Sequence, residues 1–220
     1  MQPMIQPLPT DVVPRGAVRL FNGKDLKDWT TRDGKPARWK VRNGVMTVVP
    51  KTGDIMTKKR FKDFYLHLEF RSPKMPEAKG QAKGNSGVFL QGRYEIQVLD
   101  SSGWKVPGLG DCGAIYNQHS PLVNACKPGG RWQSYDVIFR APRVDASGKV
   151  VEKTRVTVIQ NGIVVQNNAE LPGVTGAAID EKVSEPGPLL LQDHGDLVSY
   201  RNVWIVPLPE KGSDQYAPHN

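Results

Sequence analysis

Phe64-Tyr65-Leu66-His67-Leu68-Glu69-Phe70-Arg71 is the stretch that decides how this chain should fold. Phe64, Leu66, Leu68 and Phe70 occupy every second position, with Tyr65, His67, Glu69 and Arg71 between them. A period of two puts each set on its own face of a β-strand. The same alternation returns at Tyr135, Val137 and Phe139 against Asp136, Ile138 and Arg140. Residues 86–99 read as a long extended stretch broken near Gly92. Asn43-Gly44 and Asn161-Gly162 lie between apolar runs, and such pairs suit type I′ hairpin turns because both central residues need positive φ. Residues 155–160 and 163–166 should therefore pair, and 189–194 and 198–206 should form a further hairpin about Gly195-Asp196. About a dozen strands, with no helical pattern beyond a turn near residues 25–28, predict an all-β antiparallel sandwich or barrel.

Composition agrees. The chain has 22 glycines and 18 prolines in 220 residues, a turn-rich balance, and 38% apolar residues, enough for a packed core. Residues 18–208 are expected to form one domain, preceded by an extended segment, 1–17, and followed by a tail, 209–220, that carries His219. No apolar run approaches the roughly 18 residues of a membrane span. The first residues lack a basic-then-apolar signal pattern, so the protein is either cytoplasmic or has lost a signal. The net charge of +8 is densest between Lys58 and Lys83, where Asp63, Glu69 and Glu77 dilute it. This reads as a solvated surface, not the basic stripe with stacking aromatics that nucleic acid requires.

Several motifs are excluded or left open. Gly108, Gly110 and Gly113 spell GxGxxG, but a dinucleotide site needs a strand before it and a helix after it, and Pro121 and Pro128 deny the helix. No Walker, HExxH or GxSxG motif occurs. Cys112 and Cys126 have no metal-type spacing. They could close a loop if the protein is exported, or remain two thiols. Asp193, His194 and Asp196 are of ligand type, but Asp193 and His194 would point to opposite faces of a regular strand, so no motif indicates a metal.

The informative stretch is Asn85-Ser86-Gly87-Val88-Phe89, then Tyr94-Glu95-Ile96-Gln97-Val98-Leu99-Asp100. Glu95 and Gln97 share one face. They either face water or line a polar concavity that holds a ligand. Gln192 and His194 form a second polar stripe. His119 follows Tyr116 in a loop and could reach a ligand, whereas His67, beside Glu69, suits a surface role.

With these pieces the chain resembles the 3-keto-disaccharide hydrolase domain family, which has a concanavalin A-like jelly-roll fold. The resemblance rests on Leu20-Phe21-Asn22-Gly23-Lys24-Asp25-Leu26 with Trp29, on the two stretches above, on Gly113-Ala114-Ile115-Tyr116, on Arg131-Trp132-Gln133-Ser134-Tyr135, on Leu191-Gln192-Asp193-His194-Gly195, and on Tyr200-Arg201-Asn202-Val203. Gln133 replaces the family's usual Asn. The resemblance implies a periplasmic or secreted protein and a carbohydrate substrate oxidised at C3. A C3 carbonyl acidifies the C2 proton, so a base can remove it and the C1 oxygen can leave; water then completes a net hydrolysis. Such a route needs a base, an enolate stabiliser and a proton for the leaving group, not the carboxylate pair of ordinary glycosidases. Glu95 and His194 are the candidates for acid and base. Asn85, Gln97, Asp100, Tyr116, Gln192 and Arg201 are the candidate binders, with His119, and a divalent metal is an alternative enolate stabiliser. Two other readings stand beside this one. A non-catalytic carbohydrate-binding module would use exposed aromatics such as Trp104. Ordinary glycoside hydrolysis would pair Glu95 with Asp100, which a regular strand places on opposite faces.

Overall fold

The computed structural model describes residues 13–211, so His219 and most of both terminal segments lie outside the described residues. Fifteen strands run through them in chain order: β1 (Val18–Arg19), β2 (Trp29–Thr31), β3 (Lys40–Arg42), β4 (Val45–Thr47), β5 (Ile55–Thr57), β6 (Phe64–Arg71), β7 (Ser86–Leu90), β8 (Tyr94–Val98), β9 (Gln133–Arg140), β10 (Arg143–Val144), β11 (Val150–Glu152), β12 (Arg155–Gln160), β13 (Ile163–Glu170), β14 (Leu190–Leu191) and β15 (Ser199–Pro207). A single turn of 3₁₀-helix, Gly80–Ala82, is the only helical element among the described residues.

Thirteen of the strands form two facing sheets, and β10 and β11 pair with each other apart from them. The larger runs β13-β12-β9-β6-β15-β4-β3, with β1 also on β15, and the smaller runs β2-β5-β14-β7-β8. Every named pairing is antiparallel. Between them lies the core: Leu66, Leu68 and Phe70 of β6 and Tyr135, Val137 and Phe139 of β9 from one side, and Val88, Leu90, Ile96 and Val98 of β7 and β8 from the other. This is the antiparallel β-sandwich, of jelly-roll class, that the alternation called for. Both Asn-Gly pairs turn hairpins, joining β3 to β4 and β12 to β13, with φ of 51° and 75° at Asn43 and Gly44 and of 54° and 81° at Asn161 and Gly162.

Two expectations are corrected. Gly195-Asp196 is not a hairpin turn, because β14 belongs to the smaller sheet and β15 to the larger. The β14 ladder ends with the Gln192 N–H on the Gly87 carbonyl; the Asp193 N–H turns away to Asp54 Oδ1 at 2.8 Å, and the chain crosses to the other sheet. His67 is not a surface residue. Its Nδ1 lies 2.7 Å from Asp136 Oδ1, its ring stacks on Trp204 at 5.0 Å, and it is buried.

Candidate active site

Residues directly opposite in an antiparallel ladder share a face. Met56 opposes both Thr30 and Leu190, Leu190 opposes Phe89, and Phe89 opposes Glu95. These five side chains therefore line the outer face of the smaller sheet, away from the core. Phe89 and Leu190 are nevertheless fully buried, so the loops around the sheet enclose this face. One rung further along, a polar row crosses the whole sheet. Gln97 opposes Gly87, and the Gln192 N–H donates to the Gly87 carbonyl at 3.0 Å. Asp54 and Arg32 stand one residue beyond the last paired positions, Ile55 and Thr31, and are joined by an ion pair of 2.7 Å from Arg32 Nε to Asp54 Oδ2. The row reads Arg32, Asp54, Gln192, Gly87, Gln97.

Glu95 occupies the gap in that row. A β-carbon at position 87 would come within 2.8 Å of the Phe89 ring and 3.1 Å of the Glu95 carboxyl carbon, so the carboxyl group lies over the bare glycine. The backbone around it is held by Thr175, whose Oγ1 accepts the Glu95 N–H at 2.9 Å, and by Tyr116, whose N–H donates to the Glu95 carbonyl at 3.1 Å. With Glu95 only 4% exposed, burial raises its pKa to about 8; the negative charge of Asp54 adds to the rise and the positive charge of Arg32 opposes it.

The amides on either side are unequally satisfied. Gln97 Nε2 donates to Gln81 Oε1 at 2.9 Å and to the Gly110 carbonyl at 3.3 Å. Asn85 Nδ2 in turn holds Gln81, donating to its main-chain carbonyl at 2.8 Å. Gln97 Oε1 and Gln192 Oε1 are buried with no hydrogen-bond partner. A buried acceptor left unpaired costs about 1–3 kcal/mol, so two of them beside one buried carboxyl mark a place prepared for donor groups of a ligand.

The structure thus brings together Glu95, Gln97, Gln192 and Tyr116, with Asn85 behind them as a support for Gln81. It places the other candidates differently. His194 is exposed, two residues beyond Gln192, where the chain has left the ladder. Asp193 spends its carboxylate on the N–H groups of Thr52, Gly53 and Gly195, each at 3.0 Å, and Asp196 spends Oδ2 on the Asn85 N–H at 2.8 Å. A cation would need those same lone pairs, and among the described residues no three His, Cys, Asp or Glu side chains cluster to hold one. Asp100 is a loop fastener: burial works against its charge, yet bonds from Ser102 Oγ at 2.6 Å and the Gly129 N–H at 3.0 Å hold its carboxyl below the ordinary range. Both of its oxygens are thus engaged by these loops. The His119 ring bonds the Glu170 carbonyl through Nε2 at 3.1 Å, on the β13 side. Trp104 is 56% exposed on the loop after β8. Neither cysteine is bridged; Cys112 Sγ packs against Tyr135 Oη at 3.2 Å.

Arg201 belongs to a different polar cluster. The hydroxyl of Tyr200 reaches across the core to Ser86 Oγ at 2.7 Å, so its neighbour Arg201 leaves the far side of the larger sheet. There it bonds Glu69 at 2.7 Å and lies over the Trp132 ring at 4.2 Å, while Asn202 reaches Glu69 Oε1 at 3.1 Å. A cavity of about 540 Å³ beside this cluster is lined by Arg19, Asn22, Asn43, Glu69 and Arg201. Arg32, Asp54 and Gln81 are the site residues that sequence reasoning missed. The one signal for Gln81 was its place in the loop before Asn85, and Arg32 follows, and Asp54 precedes, a three-residue strand too short to show a period.

A family model described as the 3-keto-alpha-glucoside-1,2-lyase-like domain matches residues 16–206. A candidate glycosyl hydrolase from Parabacteroides distasonis is 43% identical, with a TM-score of 0.81 over 89% of this chain and 85% of that one. A second from the same organism, 22% identical with a TM-score of 0.67 over 90% of this chain and 99% of that one, shares the fold. No protein of curated function matches.

Proposed function

Since the chain belongs to the 3-keto-alpha-glucoside-1,2-lyase-like domain family, we propose that it cleaves the glycosidic bond of glucosides carrying a carbonyl at C3. Family membership and the 43%-identical candidate glycosyl hydrolase make it a carbohydrate-acting protein; the reaction is our own reading. The observation that supports it is the Glu95 carboxyl over Gly87, flanked by the partnerless amide oxygens of Gln97 and Gln192. A sugar ring is a set of hydroxyl donors, and two of them satisfy those acceptors while the ring lies across the polar row.

Glu95 in its carboxylate form takes the C2 proton. The C2–H electron pair becomes the C2=C3 bond of an enolate, and the C3 carbonyl electrons move to oxygen. Collapse of the enolate restores the C3 carbonyl, forms the C1=C2 bond and expels the C1 oxygen, which takes a proton; we assign that delivery to His194 on the solvent side. Addition of water across C1=C2 then completes a net hydrolysis. A carboxyl with a pKa of about 8 is a stronger base, once ionised, than an ordinary carboxylate. Glu95→Gln keeps the shape of the side chain and removes the base.

The test is to incubate the protein with a disaccharide and with its 3-keto counterpart. Cleavage of the keto form alone, reduced by roughly 10² or more in Glu95→Gln, is the expected result. Equal cleavage of both sugars, or binding of either without cleavage, would overturn it. The second outcome would favour a binding module built around exposed Trp104.

A further inference from the structure

The reaction proposed above puts a negative charge on the C3 oxygen, and Glu95 cannot neutralise it because Glu95 carries the proton away. We infer that Arg32 holds this enolate oxygen and that Asp54 is the positioning residue that aims it. The inference rests on the proposed function and names the one component of that chemistry which the sequence left unassigned.

Position carries the argument. Arg32 and Asp54 end the same polar row that contains Gln192, Gly87 and Gln97, on the enclosed outer face of the smaller sheet. Glu95 leans over Gly87 into that row. The Arg32 guanidinium is fixed along one edge: Nε donates to Asp54 Oδ2 at 2.7 Å and Nη2 to the Ala177 carbonyl at 2.8 Å. Its Nη1 bonds no described residue, so a donor edge is left for a ligand. Asp54 is fixed as well, since its second oxygen accepts the Asp193 N–H at 2.8 Å. The Arg32 side chain is 37% exposed and that of Asp54 13% exposed, as expected of a rim cation braced by a deeper carboxylate.

Charge supports the same placement. After burial, the largest cause of its raised pKa, Glu95 feels the Asp54 charge, which raises it further, and the Arg32 charge, which lowers it. The other groups around Glu95, Thr175 and Tyr116, meet its backbone through neutral hydrogen bonds. A preorganised guanidinium at a developing enolate lowers the barrier without stabilising the ground state equally, and losing one such donor costs on the order of 10²–10³ in rate.

The experiment compares wild type with Arg32→Ala, Arg32→Lys and Asp54→Asn on a 3-keto-α-glucoside, following kcat and KM separately, with thermal unfolding to confirm folding. The expected results are a fall in kcat of roughly 10² or more in Arg32→Ala, a smaller fall in Arg32→Lys, which keeps the charge, and an intermediate fall in Asp54→Asn. A structural role would not move a second readout, the Glu95 carboxyl resonance in protein labelled with ¹³C-glutamate. Its titration midpoint should rise in Arg32→Ala and fall in Asp54→Asn. An active wild type with kcat in Arg32→Ala within about threefold of it, or a Glu95 midpoint unmoved by both changes, overturns the inference alone. A wild type inactive on every 3-keto-glucoside tried overturns the functional reading and this inference with it.

Discussion

A β-carbon on Gly87 would stand 3.1 Å from the carboxyl carbon of Glu95, so the space that holds the carboxyl group is the space where a side chain at position 87 would be. The two residues sit on neighbouring strands, one rung apart, and the glycine is needed for room, not for backbone freedom. Gly87→Ala should therefore displace Glu95 and press on the Phe89 ring while leaving the ladder paired. We expect a loss of about 1–3 kcal/mol from overpacking and a fall in activity at least as large as that of Glu95→Gln, measured by urea unfolding and by turnover.

Glu95 also gives stability a pH dependence with a definite sign. Its folded pKa, about 8, lies above the ordinary 4.5, so the folded state binds the proton more tightly than the unfolded chain does. Its contribution to stability is present in full below pH 4.5 and is lost as pH rises through 8. At about 1.4 kcal/mol per pKa unit the whole span is at most about 5 kcal/mol. Glu95→Gln should flatten this part of the profile and unfold at higher denaturant than wild type at pH 9, while the two converge near pH 5.

The loop at residues 171–187 is anchored from beneath by a buried cation. Arg93 is fully buried, with Nε 2.6 Å from Asp180 Oδ1 and Nη1 2.8 Å from the Glu185 carbonyl. The hydrogen bond from Arg93 holds the Asp180 carboxyl below its ordinary range, so this contribution is lost as pH falls through that lowered value. Asp180→Ala strands the guanidinium and should cost about 3–5 kcal/mol. Arg93→Met with Asp180→Ala together should cost less than Asp180→Ala alone, by chemical denaturation.

Arg201 separates the sequence expectation from the structure most sharply. As a sugar binder its loss would raise KM. As the partner of Glu69 and Trp132 on the far sheet, its loss exposes a buried carboxylate and should lower stability by about 1–3 kcal/mol. We expect Arg201→Ala to show that shift in thermal unfolding with kcat and KM both within about twofold of wild type, since additive, distant sites do not couple.

What could be read without coordinates was whatever local periodicity encodes. The alternation in 64–71 and the Asn-Gly turns announced the sandwich, and the shared parity of Glu95 and Gln97 placed both on one face. What could not be read was which sheet a strand would join. Gly195-Asp196 looks like a hairpin turn, yet it carries the chain from one sheet to the other, and so Gln192 and Arg201, nine positions apart, finish on opposite sides of the molecule. Long-range partners, chosen by the core, decide that. Arg32 and Asp54 were invisible for a related reason: only the register of β2, β5 and β14 connects them to Gln192. His67 was misjudged because its strand position is an outward one, and only the stacking of Trp204 and the bond to Asp136 bury it.

Loss of the C2 proton over Glu95 leaves a record when cleavage is run in deuterium oxide. A 3-keto-α-glucoside is incubated with the protein, and substrate and product are examined by NMR for deuterium at C2. Deuterium is expected at C2 of the released 3-keto sugar, with the amount of that deuterated sugar lower by roughly 10² or more when Glu95→Gln replaces the wild type. Release of the 3-keto sugar with its C2 proton intact would contradict proton loss at C2.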